Sequence, residues 1–256
     1  MPAALDSVLD AVSEAQKRVR VAMFIALIAS GTIIIAEWNS YFSWDRRWAD
    51  VNPTPPTEWG QGKVLESQIA SWQESNAVNV SLLGLRVSVN DAAAIGSVIL
   101  LIAAFYVSLC IRAENLEVGT LLHQVKNSDP DQRRYVFHRI RSGMLFYRAD
   151  VGAEPFETLK RRPTRQTRMP FVGAVLRLII FLPAIATAVA IASDIYFATT
   201  YTDSWKHLGQ PHRIQLYVSD TFGFVCLVLI LIFQVRAWQY WRGTRQIMGE
   251  LEASLP

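Results

Sequence analysis

Glu37, Asp91, Asp194 and Asp220 each fall at or near one end of a long apolar stretch. A carboxylate beside hydrocarbon is energetically costly, so acids repeated at that position point to work on cations. They could form an acidic vestibule that gathers cations, or a site between helices. A local reading stands beside it. Asp91 and Asp220 lie where helices are expected to start, and a carboxylate there accepts backbone N–H bonds and complements the helix dipole. Glu37 can simply mark the membrane interface. Asp194 differs, because the run IYFATTY still follows it. It is expected inside a helix, facing protein or water, with a partner.

Other groups carry weaker signals. Arg177 lies two turns from one end of its stretch, where a long side chain can snorkel to headgroups. It stands 17 residues before Asp194, about 25 Å along a helix, so the two cannot pair within it. His207 and His212, with Asp203 nearby, make a weak candidate for a metal, since HLGQPH matches no ligand motif. The run KRRPTRQTR supplies Arg161, Arg162, Arg165 and Arg168, which with Arg177 could contact anionic lipid headgroups. Arg133, Arg134, Arg139 and Arg141 add to the same basic segment. The plain alternative is that these charges only set topology. No stacking platform accompanies them, so nucleic acid is not an expected partner. Cys110 and Cys226 lie inside apolar stretches and read as packing residues. Nothing resembles a phosphate loop, a nucleophile elbow, a zinc-protease helix or a haem motif. No catalytic residue, cofactor or confident metal site is therefore expected, and an enzyme is the less favoured class.

The elements that carry these residues are set by hydropathy. Half of the 256 residues are hydrophobic and the formal net charge is only +3. The apolar residues gather in four stretches, each near the roughly 20 residues that a bilayer core requires. The expected fold class is an all-α integral membrane protein with four transmembrane helices. The expected segments are an amphipathic helix at 1–18, a first span at 19–42, a small cap at 43–90 and a second span at 91–111. A helical basic loop follows at 112–169, then a third span at 170–201, a short loop at 202–215, a fourth span at 216–235 and a tail at 236–256. The first span has Lys17, Arg18 and Arg20 before it and no small-x-small site after it, so it reads as a retained anchor.

Within these segments the periodicities are specific. Leu5, Val8, Leu9, Val12 and Ala15 form a helical stripe, expected on a surface helix. Leu116, Val118, Leu121, Leu122 and Val125 carry the second helix beyond its span. Pro130 can open the next helix, whose apolar side is Val136, Phe137, Ile140 and Met144. In the cap, a short helix is expected over 63–75, and Leu85, Val87 and Val89 alternate as in a strand. Ala29, Ser30 and Gly31 form a small-residue patch suited to close helix approach. Pro183 is expected to bend the third span.

Lys and Arg counts orient the chain. The N-terminus, the 112–169 loop and the tail together hold 18, against 6 in the opposite segments. Both termini are thus expected in the cytoplasm and the 43–90 cap outside. The compact segments suit a bacterial inner membrane. The expected function is a structural, accessory or scaffold subunit of a membrane complex. The alternative is an oligomeric cation channel or transport component with an acidic outer vestibule. Expected partners are membrane lipids, with further copies of the chain or other membrane-protein subunits.

Overall fold

The computed structural model describes residues 2–51, 78–80, 85–87, 89–125, 128–144, 170–200 and 210–253. These residues form α1 (Pro2–Val51), β1 (Val78–Val80), β2 (Leu85–Val87), α2 (Val89–Val125), α3 (Pro130–Gly143), α4 (Pro170–Thr200) and α5 (Gln210–Ala253). Helices α1, α2, α4 and α5 are long and apolar enough to cross a membrane. They expose large apolar side chains such as Phe24, Ile35, Ile102, Leu178, Phe224 and Val225. Surface of that kind is stable against lipid and a liability in water.

The helices run past the borders expected from hydropathy. α1 is unbroken for 50 residues, through both the 18/19 and the 42/43 border. No proline stands between Pro2 and Pro53, and Lys17, Arg18 and Arg20 are good helix formers. The change from water to lipid alters side-chain type and leaves the backbone ladder intact. The N-terminal stripe is accordingly the first part of α1 rather than a separate surface helix. α5 likewise takes in part of the 202–215 loop and most of the 236–256 tail. α4 continues through Pro183, and the Thr187 hydroxyl donates to the Pro183 carbonyl at 2.9 Å. Between α1 and α2, β1 and β2 form an antiparallel ribbon that pairs Val78 with Val87 and Val80 with Leu85. Val89 belongs to α2 instead of the strand. The expected cap helix at 63–75 lies outside the described residues.

The chain divides into two compact units. The first holds 1–27, 103–182 and 231–256. Its core joins Leu9 and Val12 of α1 to Val118, Leu121, Leu122 and Val125 of α2, to Val136, Phe137, Ile140 and Met144 beside α3, and to Met248 of α5. Burying each such side chain contributes about 1.5–3 kcal/mol. Leu116, expected on the α2 stripe, is exposed instead. A second cluster contains Val19, Ala22, Met23 and Ala26 with Ala103, Val107, Ile111, Ile180 and Ala237. Its alanines let helix backbones approach closely.

Two polar clasps fix this unit. The buried Gln16 of α1 donates its Nε2–H to the Ile140 carbonyl at 3.0 Å. Ile140 lies in the last turn of α3, where carbonyls lack intrahelical partners, so Gln16 completes that helix end from outside it. Asn115 of α2 donates Nδ2–H to the Tyr240 carbonyl at 3.0 Å and to the Thr244 hydroxyl at 2.7 Å. That amide ties α2 to α5 through two acceptors one turn apart.

The second unit holds 28–102 and 183–230. Small residues set its helix contacts. A Cβ on Gly96 would lie 3.2 Å from Ile33, and a Cβ on Gly223 would lie 3.3 Å from Ile191. Ser30, Ser97, Ala186, Thr187 and Ala190 are buried with them. Of the expected small-residue patch, Ser30 is the buried member. Gly31 has open space where a Cβ would stand, so it is not the point of close approach.

Candidate carboxylate site

The second unit also carries the acids. Glu37 of α1 is 8% exposed despite its charge. Its Oε2 accepts a hydrogen bond from Ser193 Oγ of α4 at 3.2 Å. That hydroxyl also lies 3.0 Å from the Val189 carbonyl and 2.9 Å from the Ala190 carbonyl of its own helix. A hydroxyl has one proton to donate, and an ionised carboxylate is the stronger acceptor. Asp194, the next residue along α4, is half-buried. It lies within electrostatic reach of both Glu37 and Asp220 of α5. Asp220 is half-buried as well, and among the described residues neither its buried Oδ1 nor the buried hydroxyl of the neighbouring Ser219 has a hydrogen-bond partner.

Three helices thus bring three carboxylates into one electrostatic neighbourhood, although 183 residues separate Glu37 from Asp220. Close approach of α4 and α5 beside the site depends on Gly223, one turn from Asp220. The acids do not converge to a coordination sphere. Among the described residues no three His, Cys, Asp or Glu groups are placed to hold a metal ion. An arrangement of this kind attracts cations by field rather than by direct ligation, which suits a hydrated cation or a proton.

The capping explanation fails for one acid and changes for another. Asp220 lies ten residues inside α5, which begins at Gln210, so it is no helix cap. The helix starts early because Pro211 is a favourable opening residue. Asp91 lies in the first turn of α2, which begins at Val89, instead of at the cap. The side chain of Asp91 lies outside the described residues, and so do those of Arg177 and His212, although all three are on helices. Asp203, His207, Arg161, Arg162, Arg165 and Arg168 lie outside the described residues altogether. Cys110 and Cys226 are buried free thiols.

Sequence reasoning missed Ser193, whose position beside Asp194 was the available signal. Ser30, expected only as a small packing residue, stands two helical turns before Glu37 on α1, and its buried hydroxyl has no partner among the described residues. No family model matches this chain, and no curated protein or solved structure matches it either.

Proposed function

We propose that the protein is a multi-pass membrane component that handles cations, with Glu37, Asp194 and Asp220 forming its cation-attracting element. The single observation that carries this reading is that Asp194 of α4 lies within electrostatic reach of both Glu37 of α1 and Asp220 of α5, with Glu37 bonded to the adjoining Ser193. Three ionisable groups on apolar helices impose a large desolvation penalty, which a purely structural role leaves unexplained. The excess of Lys and Arg in the N-terminus, the 112–169 loop and the tail supports a reading with both termini cytoplasmic and the acids toward the outer face of an inner membrane. Four helices per chain make a pathway through an oligomer the natural form of the reading.

The test is flux. Protein reconstituted into vesicles should pass protons or potassium ions, followed with dyes for each. At an effective dielectric of 20, a cation 4 Å from a carboxylate gains about 4 kcal/mol. Asp194→Asn and Glu37→Gln should therefore each lower flux by at least about tenfold. Unchanged flux in both variants would sink the reading. The accessory-subunit function would then be preferred, and a particle of unlike proteins after gentle detergent extraction would support it.

A further inference from the structure

The first unit contains an open recess of about 210 Å³ between the N-terminal part of α1 and the end of α3. Its polar lining is Ser13, Gln16 and Arg20 from α1, with Arg139 and Ser142 from α3. We infer that this recess binds the phosphoryl group of an anionic lipid. The recess shares no residue with the carboxylates and does not depend on the cation reading.

The donors have the right chemistry. Two guanidinium groups supply planar forks suited to phosphoryl oxygens, and the Ser13 hydroxyl adds a neutral donor, while the Ser142 hydroxyl is committed to the Arg139 carbonyl at 2.8 Å. The floor is rigid, because Gln16 is buried and held by the Ile140 carbonyl. Gly143 keeps the two helices in close contact, since a Cβ there would run into the Gln16 carboxamide. Among the described residues the Arg139 guanidinium has no hydrogen-bond or ion-pair partner, and Arg20 makes only a long contact to the Gln16 carbonyl at 3.4 Å. Glu114 is an acid within electrostatic reach of Arg20. The two arginines therefore leave a net positive charge for an anion.

Position selects lipid over a larger soluble ligand. Pockets for drug-sized molecules run to roughly 300–1,000 Å³, and this one is smaller. Immediately beyond Arg20, α1 exposes Val21, Phe24, Ile25 and Ile28. A phosphoryl group seated on the arginines would place its acyl chains along that ridge. A zwitterionic lipid carries the same phosphoryl group but brings a cation toward Arg20 and Arg139, which disfavours it.

The experiment uses the purified full chain in mild detergent. Short-chain phosphatidylglycerol, short-chain phosphatidylcholine and inorganic phosphate are titrated separately, with bound ligand counted by native mass spectrometry. The expected result is preference for phosphatidylglycerol. Arg20→Gln and Arg139→Gln should each weaken binding about fivefold, the effect of about 1 kcal/mol per basic residue near a lipid surface. Arg242→Gln, exposed and away from the recess, should bind as the unaltered chain does. Ser13→Leu fills the recess without changing charge and should abolish the preference at unchanged thermal stability. This variant keeps the test sharp if losing Arg20 beside Glu114 impairs folding. Equal binding of phosphatidylcholine, or full binding by both Arg139→Gln and Ser13→Leu, overturns the inference. Inorganic phosphate binding as tightly as phosphatidylglycerol overturns the lipid and leaves a soluble phosphoryl compound as the ligand.

Discussion

Replacing Gly143 with alanine should destabilise the protein, and only because of Gln16. Gly143 ends α3, and an added Cβ would overlap the Gln16 carboxamide. Gln16 is 3% exposed and its Nε2–H is committed to the Ile140 carbonyl at 3.0 Å. The carboxamide cannot move aside without breaking that bond. A buried group left unsatisfied costs about 1–3 kcal/mol, and overpacking a filled contact costs about 1–3 kcal/mol. Gly143→Ala should therefore lower unfolding free energy by about 2–4 kcal/mol, measured by denaturant titration in mild detergent micelles. In a Gln16→Ala background the obstacle is gone. There the same change should be neutral or stabilising by up to about 1 kcal/mol, because alanine is the better helix residue. The double-mutant cycle should thus show a coupling of roughly 3 kcal/mol. Effects that add within about 0.5 kcal/mol would refute the reasoning, since they would place the glycine's role in the backbone and not in its contact with Gln16.

Two further outcomes follow from one part-buried and one buried amide. Asn115→Ala should cost about 1–3 kcal/mol in the same titration, because it removes the donor to both the Tyr240 carbonyl and the Thr244 hydroxyl. An Asn115→Ala variant as stable as the unaltered chain would show that the α2–α5 contact rests on apolar packing alone. Gln234→Leu should do the opposite. Gln234 is 2% exposed and neither of its amide atoms has a partner among the described residues, so an apolar residue of similar size should raise stability by about 1–2 kcal/mol. A loss of stability there would mean that the amide is satisfied in the membrane by a group from outside the chain.

The apolar runs, the start of α3 at Pro130 and the buried faces of α2 and α3 were legible because they depend on local period and local punctuation. Helix lengths were not. Borders were placed where lipid gives way to water, yet a helix ends only where the backbone is broken or a cap intervenes. The carboxylates were legible in part. Matching depth picked out Glu37, Asp91, Asp194 and Asp220, but Asp220 was open to a capping explanation until α5 proved to begin ten residues earlier. Their common neighbourhood could not be read, because nothing local links Glu37 to Ser193, which is 156 positions away.

The polar clasps left a trace that periodicity alone would have exposed. Gln16 falls on the stripe of Leu9, Val12 and Val19, and Asn115 falls between Ile111 and Val118 on the buried face of α2. A polar side chain inside an apolar stripe is carried into the packed interior whatever its own preference, so it must find a partner there or destabilise the fold. Gln16 and Asn115 find carbonyls on helices more than 100 residues away. Gln234 lies between Ile230 and Ala237 by the same pattern and finds none. The pattern thus identifies which polar residues are buried but leaves their energetic sign open, because the sign depends on a partner set by tertiary packing. Comparing Asn115→Ala with Gln234→Leu separates these two contributions. Opposite signs follow if partnering within the chain decides stability, and matching losses follow if burial of an amide in this bundle always reflects an acceptor, whether or not this chain supplies it.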